Sequence, residues 1–175
     1  MTGMDRAPQA AALGELKSYL RLDTADEDAT LQGLLRTATA TVEAFLGQLL
    51  VIRDLSETAD ANQCRIGLRG RPVVAIGLVS WMEGDEEVPL APDRWRFQRS
   101  PSGRGVVLLH DPPEGRVRVR YTAGLAQDWN GLAEPLRFAV VRAAAHGFAH
   151  RDRAEDAGLP AIVWQTLAPW RAVAL

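Results

Sequence analysis

The chain has 175 residues, 47% of them hydrophobic and 24% charged, and a formal net charge of −2. That length suits one domain with a real core, and near-neutral charge gives no general electrostatic reason to hold nucleic acid. One cysteine, Cys64, excludes an internal disulfide, three histidines leave no zinc framework, and no run approaches the roughly 20 apolar residues of a membrane span.

Residues 1–11 are small, polar and proline-broken, and are expected to form a flexible arm without the apolar core of a secretory signal. A short helix follows with Leu13, Leu16 and Leu20 on one face, and the acidic Asp23–Asp28 cluster joins it to a long helix over Thr24–Leu49. In that second helix Leu31, Leu34, Leu35, Ala38, Val42, Phe45, Leu46 and Leu49 recur at the spacing of one buried face. Thr24 and Glu27 have the form of a capping box, and Gly47 sits where a left-handed residue stops a helix. The two helices, over 12–49, are expected to pair as a hairpin. The acidic cluster lacks the glycine and closing glutamate of a calcium loop, so capping and solvation account for it.

After Leu49 the apolar period changes from helical to alternating. Strands are expected around residues 51–56, 64–68, 73–82, 94–98, 106–109 and 116–121, with turn-forming residues between them. This reads as one small antiparallel sheet over 50–123, in which Cys64 is a buried thiol. A third helix over 133–152 starts with Pro135 in its first turn and buries Leu136, Val140, Ala143, Ala144 and Phe148. Residues 159–175 form a last apolar segment, interrupted by Pro169. The expected class is α+β: mainly a helical bundle of about four helices with an inserted small antiparallel sheet, in a single domain.

No catalytic constellation is present, and no cofactor is implied. His146 and His150 form an i, i+4 pair that Asp152 or Glu155 could extend, but no third ligand follows and the pattern lacks the glutamate of a zinc-protease helix. Ser56, Ser80, Ser100 and Ser102 lack a nucleophile elbow. Ser100–Gly105 reads as a hairpin turn, since it carries no lysine and leads into no helix. Arg116, Arg118 and Arg120 alternate with Val117, Val119 and Tyr121, and Arg94 and Arg96 alternate with Trp95 and Phe97. Such arginine faces are either solvated or meet an acidic partner or DNA phosphates.

Several phrases, in order, resemble the phage head-tail connector (adaptor) family of long-tailed phages and gene transfer agents. They are Leu16-Lys17, Leu20-Arg21-Leu22-Asp23, Asp26-Glu27-Asp28, Leu34-Leu35, Val42-Glu43 and Phe45-Leu46-Gly47 in the first part. Arg71-Pro72-Val73, Tyr121-Thr122-Ala123-Gly124, Pro135-Leu136, Leu159-Pro160 and Trp170-Arg171 continue the likeness in the second. The resemblance implies a structural, non-enzymatic subunit of a ring, about twelve-fold and closed by head-to-tail interfaces. The ring would sit at the portal vertex of a virion or phage-like particle assembled in the host cytoplasm, between the portal protein and a stopper or tail-completion protein. Double-stranded DNA would pass through its bore with transient, non-specific contact, and no membrane is involved.

On that footing the apolar tail is expected to dock into the portal through Trp164, Leu167, Trp170, Val173 and Leu175. Gln32, Arg36, Thr39 and Glu43 are expected at the contact with the next subunit, and the five sheet arginines toward a partner or DNA. Two other classes compete: a metal-dependent hydrolase using His146 and His150, and a DNA-binding regulatory protein using Arg116, Arg118 and Arg120.

Overall fold

Helix α1 (Gln9–Leu20) opens inside the stretch expected to be an arm. It closes where Arg21 adopts a left-handed backbone, φ 59°, and the Leu22 N–H donates back to the Lys17 carbonyl at 3.0 Å. The computed structural model describes residues 9–84, 86–111, 114–151 and 159–171.

Helix α2 runs from Asp28 to Leu46, shorter at both ends than the apolar pattern suggests. Glu27 occupies the N-cap position without a side-chain capping bond, so the Thr24–Glu27 capping box does not form. Thr24 lies four residues ahead of the helix, too far out for its hydroxyl to reach the first-turn amides. Asp28 instead accepts a hydrogen bond from Lys17 Nζ at 2.7 Å, which ties α1 to the start of α2. At the other end Gly47, φ 62°, donates its N–H to the Glu43 carbonyl and stops the helix as expected.

Helix α3 (Glu134–Ala149) has Pro135 in its first turn and buries Leu136, Ala139, Val140, Val141, Ala144 and Ala145. A Cβ at Gly147 would lie 3.1 Å from Leu34 Cδ2, so α2 and α3 approach closely there. Helix α4 (Ala161–Leu167) is followed by a 3-10 turn, Ala168–Trp170. These helices make one compact unit from residues flanking the strand region in sequence. Its core gathers Leu16, Leu31, Leu35, Val42, Leu46, Leu136, Val140, Leu167 and the indole of Trp129.

The described residues of the second unit, spanning 52–125, hold seven strands: β1 (Arg53–Asp60), β2 (Arg65–Gly67), β3 (Val73–Glu83), β4 (Glu86–Pro89), β5 (Trp95–Arg99), β6 (Gly105–Leu109) and β7 (Arg116–Ala123). They form two antiparallel sheets where one was expected, in the orders β1-β7-β3-β4 and β2-β6-β5. The difference is one of pairing. β7 takes the central place between β1 and β3, although β1 lies far from it in sequence. The sheets are stitched by Val73 N–H to the Gly103 carbonyl at 3.0 Å and by Arg99 Nη1, on β5, to the Val73 carbonyl at 2.9 Å. Gly105 is buried at that seam, and a Cβ there would lie 2.6 Å from Val73 Cγ2 and 3.0 Å from the Phe97 ring. Helix and strand take 39% and 30% of the described residues, so the α+β class rests on two comparable parts. Cys64, expected to be buried, is exposed in the turn before β2.

Candidate assembly surfaces

The terminal apolar segment splits into an inward and an outward side. Val163 and Leu167 are 1% and 0% exposed in the core of the helical unit, so Leu167 is a packing residue and not the surface docking residue it was expected to be. Ile162 and Trp164 are 42% exposed and Trp170 is 37% exposed. The Trp164 ring meets Phe45 edge to face with centroids 4.3 Å apart, and the Arg171 guanidinium lies 5.5 Å from the Phe45 centroid. Gln48 Nε2 donates to the Trp170 carbonyl at 2.9 Å, and Trp164 Nε1 to the Leu159 carbonyl at 2.8 Å. An aromatic surface therefore forms where the segment lies on the end of α2. Val173 and Leu175 lie outside the described residues. Phe45, Gln48 and Arg171 belong to this surface but escaped the sequence reading, because the helical period of α2 accounts for Phe45 as core.

Gln32, Arg36, Thr39 and Glu43 each follow a buried residue of α2, namely Leu31, Leu35, Ala38 and Val42. One position is about 100° of rotation, so the row flanks the buried stripe instead of opposing it. Arg36 is exposed, while Gln32, Thr39 and Glu43 are half-buried. Glu43 Oε1 accepts the Leu50 N–H at 2.9 Å and closes the turn after the helix, an internal role in place of the expected outward one. The most exposed face of α2 carries Thr30, Thr37, Ala40, Thr41 and Ala44.

The sheet arginines are also engaged. Arg116, Arg118 and Arg120 do share one face of β7, but Arg118 Nη1 and Arg120 Nη2 reach across β3 to the same oxygen, Glu87 Oε2 on β4, at 3.2 and 2.5 Å. Arg116 stands opposite Asp60 in the register. Arg94 is not on a strand; it closes a 3-10 turn, Pro92–Arg94. There it donates to the His110 carbonyl at 3.2 Å and to the Asp111 carbonyl, holding the start of β5 to the end of β6. Arg96 is exposed on β5.

The rings of His146 and His150 lie 4.2 Å apart, and His150 Nδ1 is 2.9 Å from the His146 carbonyl. Among the described residues no group of three or more His, Cys, Asp or Glu is placed to hold a metal ion, and Asp152 and Glu155 fall outside them. The same residues include no helix long and apolar enough to cross a membrane.

Residues 10–69, which run from α1 through β2, match the family described as phage gp6-like head-tail connector protein. Within that segment the chain is similar to the head-tail connector family. The whole chain is similar to a chain in the neck of an empty GTA particle treated with C6 symmetry, at 28% identity and TM-score 0.78, covering 100% of this chain and 97% of that one. A chain of the virion of a native gene transfer agent (GTA) particle is similar at 25% identity and TM-score 0.78, with coverage of 100% and 97%. A third, in the neck of a native GTA particle treated with C12 symmetry, shows 25% identity and TM-score 0.72 over 96% of this chain and 92% of that one. No curated protein matches the chain. The connector family and these neck chains are structural proteins of particles.

Proposed function

We propose that the chain is a structural head-tail connector subunit that forms a ring between the portal and the stopper or tail of a phage or phage-like gene transfer particle. The observation that carries this reading is the end-to-end likeness, 100% of this chain on 97% of a GTA neck chain, joined to the connector match over residues 10–69. A ring requires head-to-tail contacts that close, and the C6 and C12 symmetries of the neighbouring necks agree with that geometry.

Within the ring, Arg36 on α2 faces the next subunit. Ile162, Trp164 and Trp170 meet the portal, because exposed aromatic side chains supply contact area at low entropic cost. DNA passes through the bore, and the chain's net charge of −2 disfavours tight retention of phosphates. Assembly takes place in the host cytoplasm, at the portal vertex of the particle.

The test is to mix the purified chain with its portal protein and measure the mass and rotational symmetry of the product by electron microscopy. A ring of this chain stacked on the portal is expected. A product that remains two separate species would overturn the reading, whereas a monomer in the absence of portal would not bear on it.

A further inference from the structure

Four charged side chains on the β1-β7-β3-β4 sheet have an arrangement that the connector reading does not use. Arg116, Arg118 and Arg120 stand at alternate positions of β7, so their side chains leave one face from backbone positions about 6.6–6.8 Å apart along the strand. Glu87 sits two strands away, directly in line with Met82 and Arg116, yet its carboxylate is held diagonally by Arg118 and Arg120. The Glu87 side chain is only 20% exposed, against 33% for Arg118 and 52% for Arg120. The two guanidiniums therefore turn inward over a carboxylate that lies deeper than they do. Ser80, between Arg118 and Pro89 in the register, is 0% exposed on this face, as expected if side chains bridging β3 cover it. Asp54 and Asp60 on β1 share the face as well. Three arginines are thus set against three carboxylates.

We propose that Glu87 masks a phosphate-binding strip: by holding Arg118 and Arg120 it keeps the sheet face from binding the phosphodiester backbone of duplex DNA. A row of arginines at even intervals on an exposed sheet is the kind of surface that gains affinity for DNA by releasing counterions. A guanidinium committed to a carboxylate releases none. The masking belongs to the isolated chain and goes beyond the ring reading, so either can fail without the other.

The experiment compares full-length wild type with Glu87→Gln for binding a labelled duplex of random sequence, by fluorescence anisotropy between about 50 and 200 mM salt. Two freed arginines should tighten binding roughly tenfold at the lowest salt and steepen the slope of log K against log salt by about 2. Adding Arg118→Gln and Arg120→Gln to that variant should return both quantities to the wild-type values. Should Glu87→Gln fail to fold, Glu87→Met carries the same expectation, since Arg118 and Arg120, 33% and 52% exposed, can turn their guanidinium groups to solvent once the carboxylate is gone. Unchanged DNA binding on loss of the carboxylate, or a gain that survives removal of both arginines, overturns the proposal.

Discussion

The rings of Phe45 and Trp164 meet edge to face, 4.3 Å between centroids at an interplanar angle of 88°, and bring the last helix onto the end of α2. Together with the burial of Val163 and Leu167, this contact makes the terminal segment part of the folded helical unit as well as the surface proposed for the portal. Cutting the segment away would therefore damage both at once, and single substitutions separate the two roles.

Leu167→Ala removes a wholly buried side chain and is expected to cost about 2–5 kcal/mol, transfer and cavity effects together. Trp170→Ala, at a 37% exposed site, should change stability far less and should weaken portal binding. Urea denaturation checks the first and co-sedimentation with portal the second. Equal loss of stability in the two variants would show that Trp170 is a packing residue too.

Trp164→Ala loses the edge-to-face pair with Phe45, an aromatic contact worth about 0.5–1.5 kcal/mol beyond its buried area. Its melting temperature should fall. Phe45→Leu should lower it as well, and the double variant should show less than the sum of the two single effects. Additive losses would mean that the two rings do not act together.

Glu43 and Arg36 lie on one row of α2 but are expected to respond differently. Glu43→Ala strands the Leu50 N–H, which the carboxylate accepts at 2.9 Å, for a cost of about 1–3 kcal/mol. Arg36→Glu, at an exposed position, should leave stability within about 0.5 kcal/mol and should impair ring closure on the portal. Intact rings from the Arg36 variant would remove Arg36 from the subunit contact.

Tyr121 is buried, donates its hydroxyl to Glu57 Oε1 and accepts the Gly70 N–H at 2.8 Å. Burial, followed by the hydrogen bond to the Glu57 carboxylate, pushes its ionisation well above the ordinary tyrosine value. Because the folded-state pKa is raised, the unfolded chain ionises first. The contribution of Tyr121 is whole below its ordinary pKa of 10.0 and is lost as pH climbs from there toward the folded value. Tyr121→Phe should cost about 1–3 kcal/mol at neutral pH by stranding the Gly70 N–H. It should also flatten the loss of stability above pH 10.0, measured by denaturation at a series of alkaline pH values.

Local pattern in the sequence determined much of this molecule. The 3.6-residue period of Leu31, Leu35, Ala38, Val42 and Leu46 became the buried stripe of α2, Gly47 ended it, and Pro135 opened α3. The alternation in β7 sent Val117, Val119 and Tyr121 inward and the arginines outward. Such patterns are legible because they record which side of an element avoids water, a property set within a few residues. Tertiary structure alone decided what covers each side. It placed β7 between β1 and β3, drew Glu87 across a strand to Arg118 and Arg120, and bonded Glu43 to Leu50. It also put Leu167 inside while leaving Trp164 half outside. Those outcomes depend on register and on where distant segments meet, and a period of two or of 3.6 residues carries no information about either.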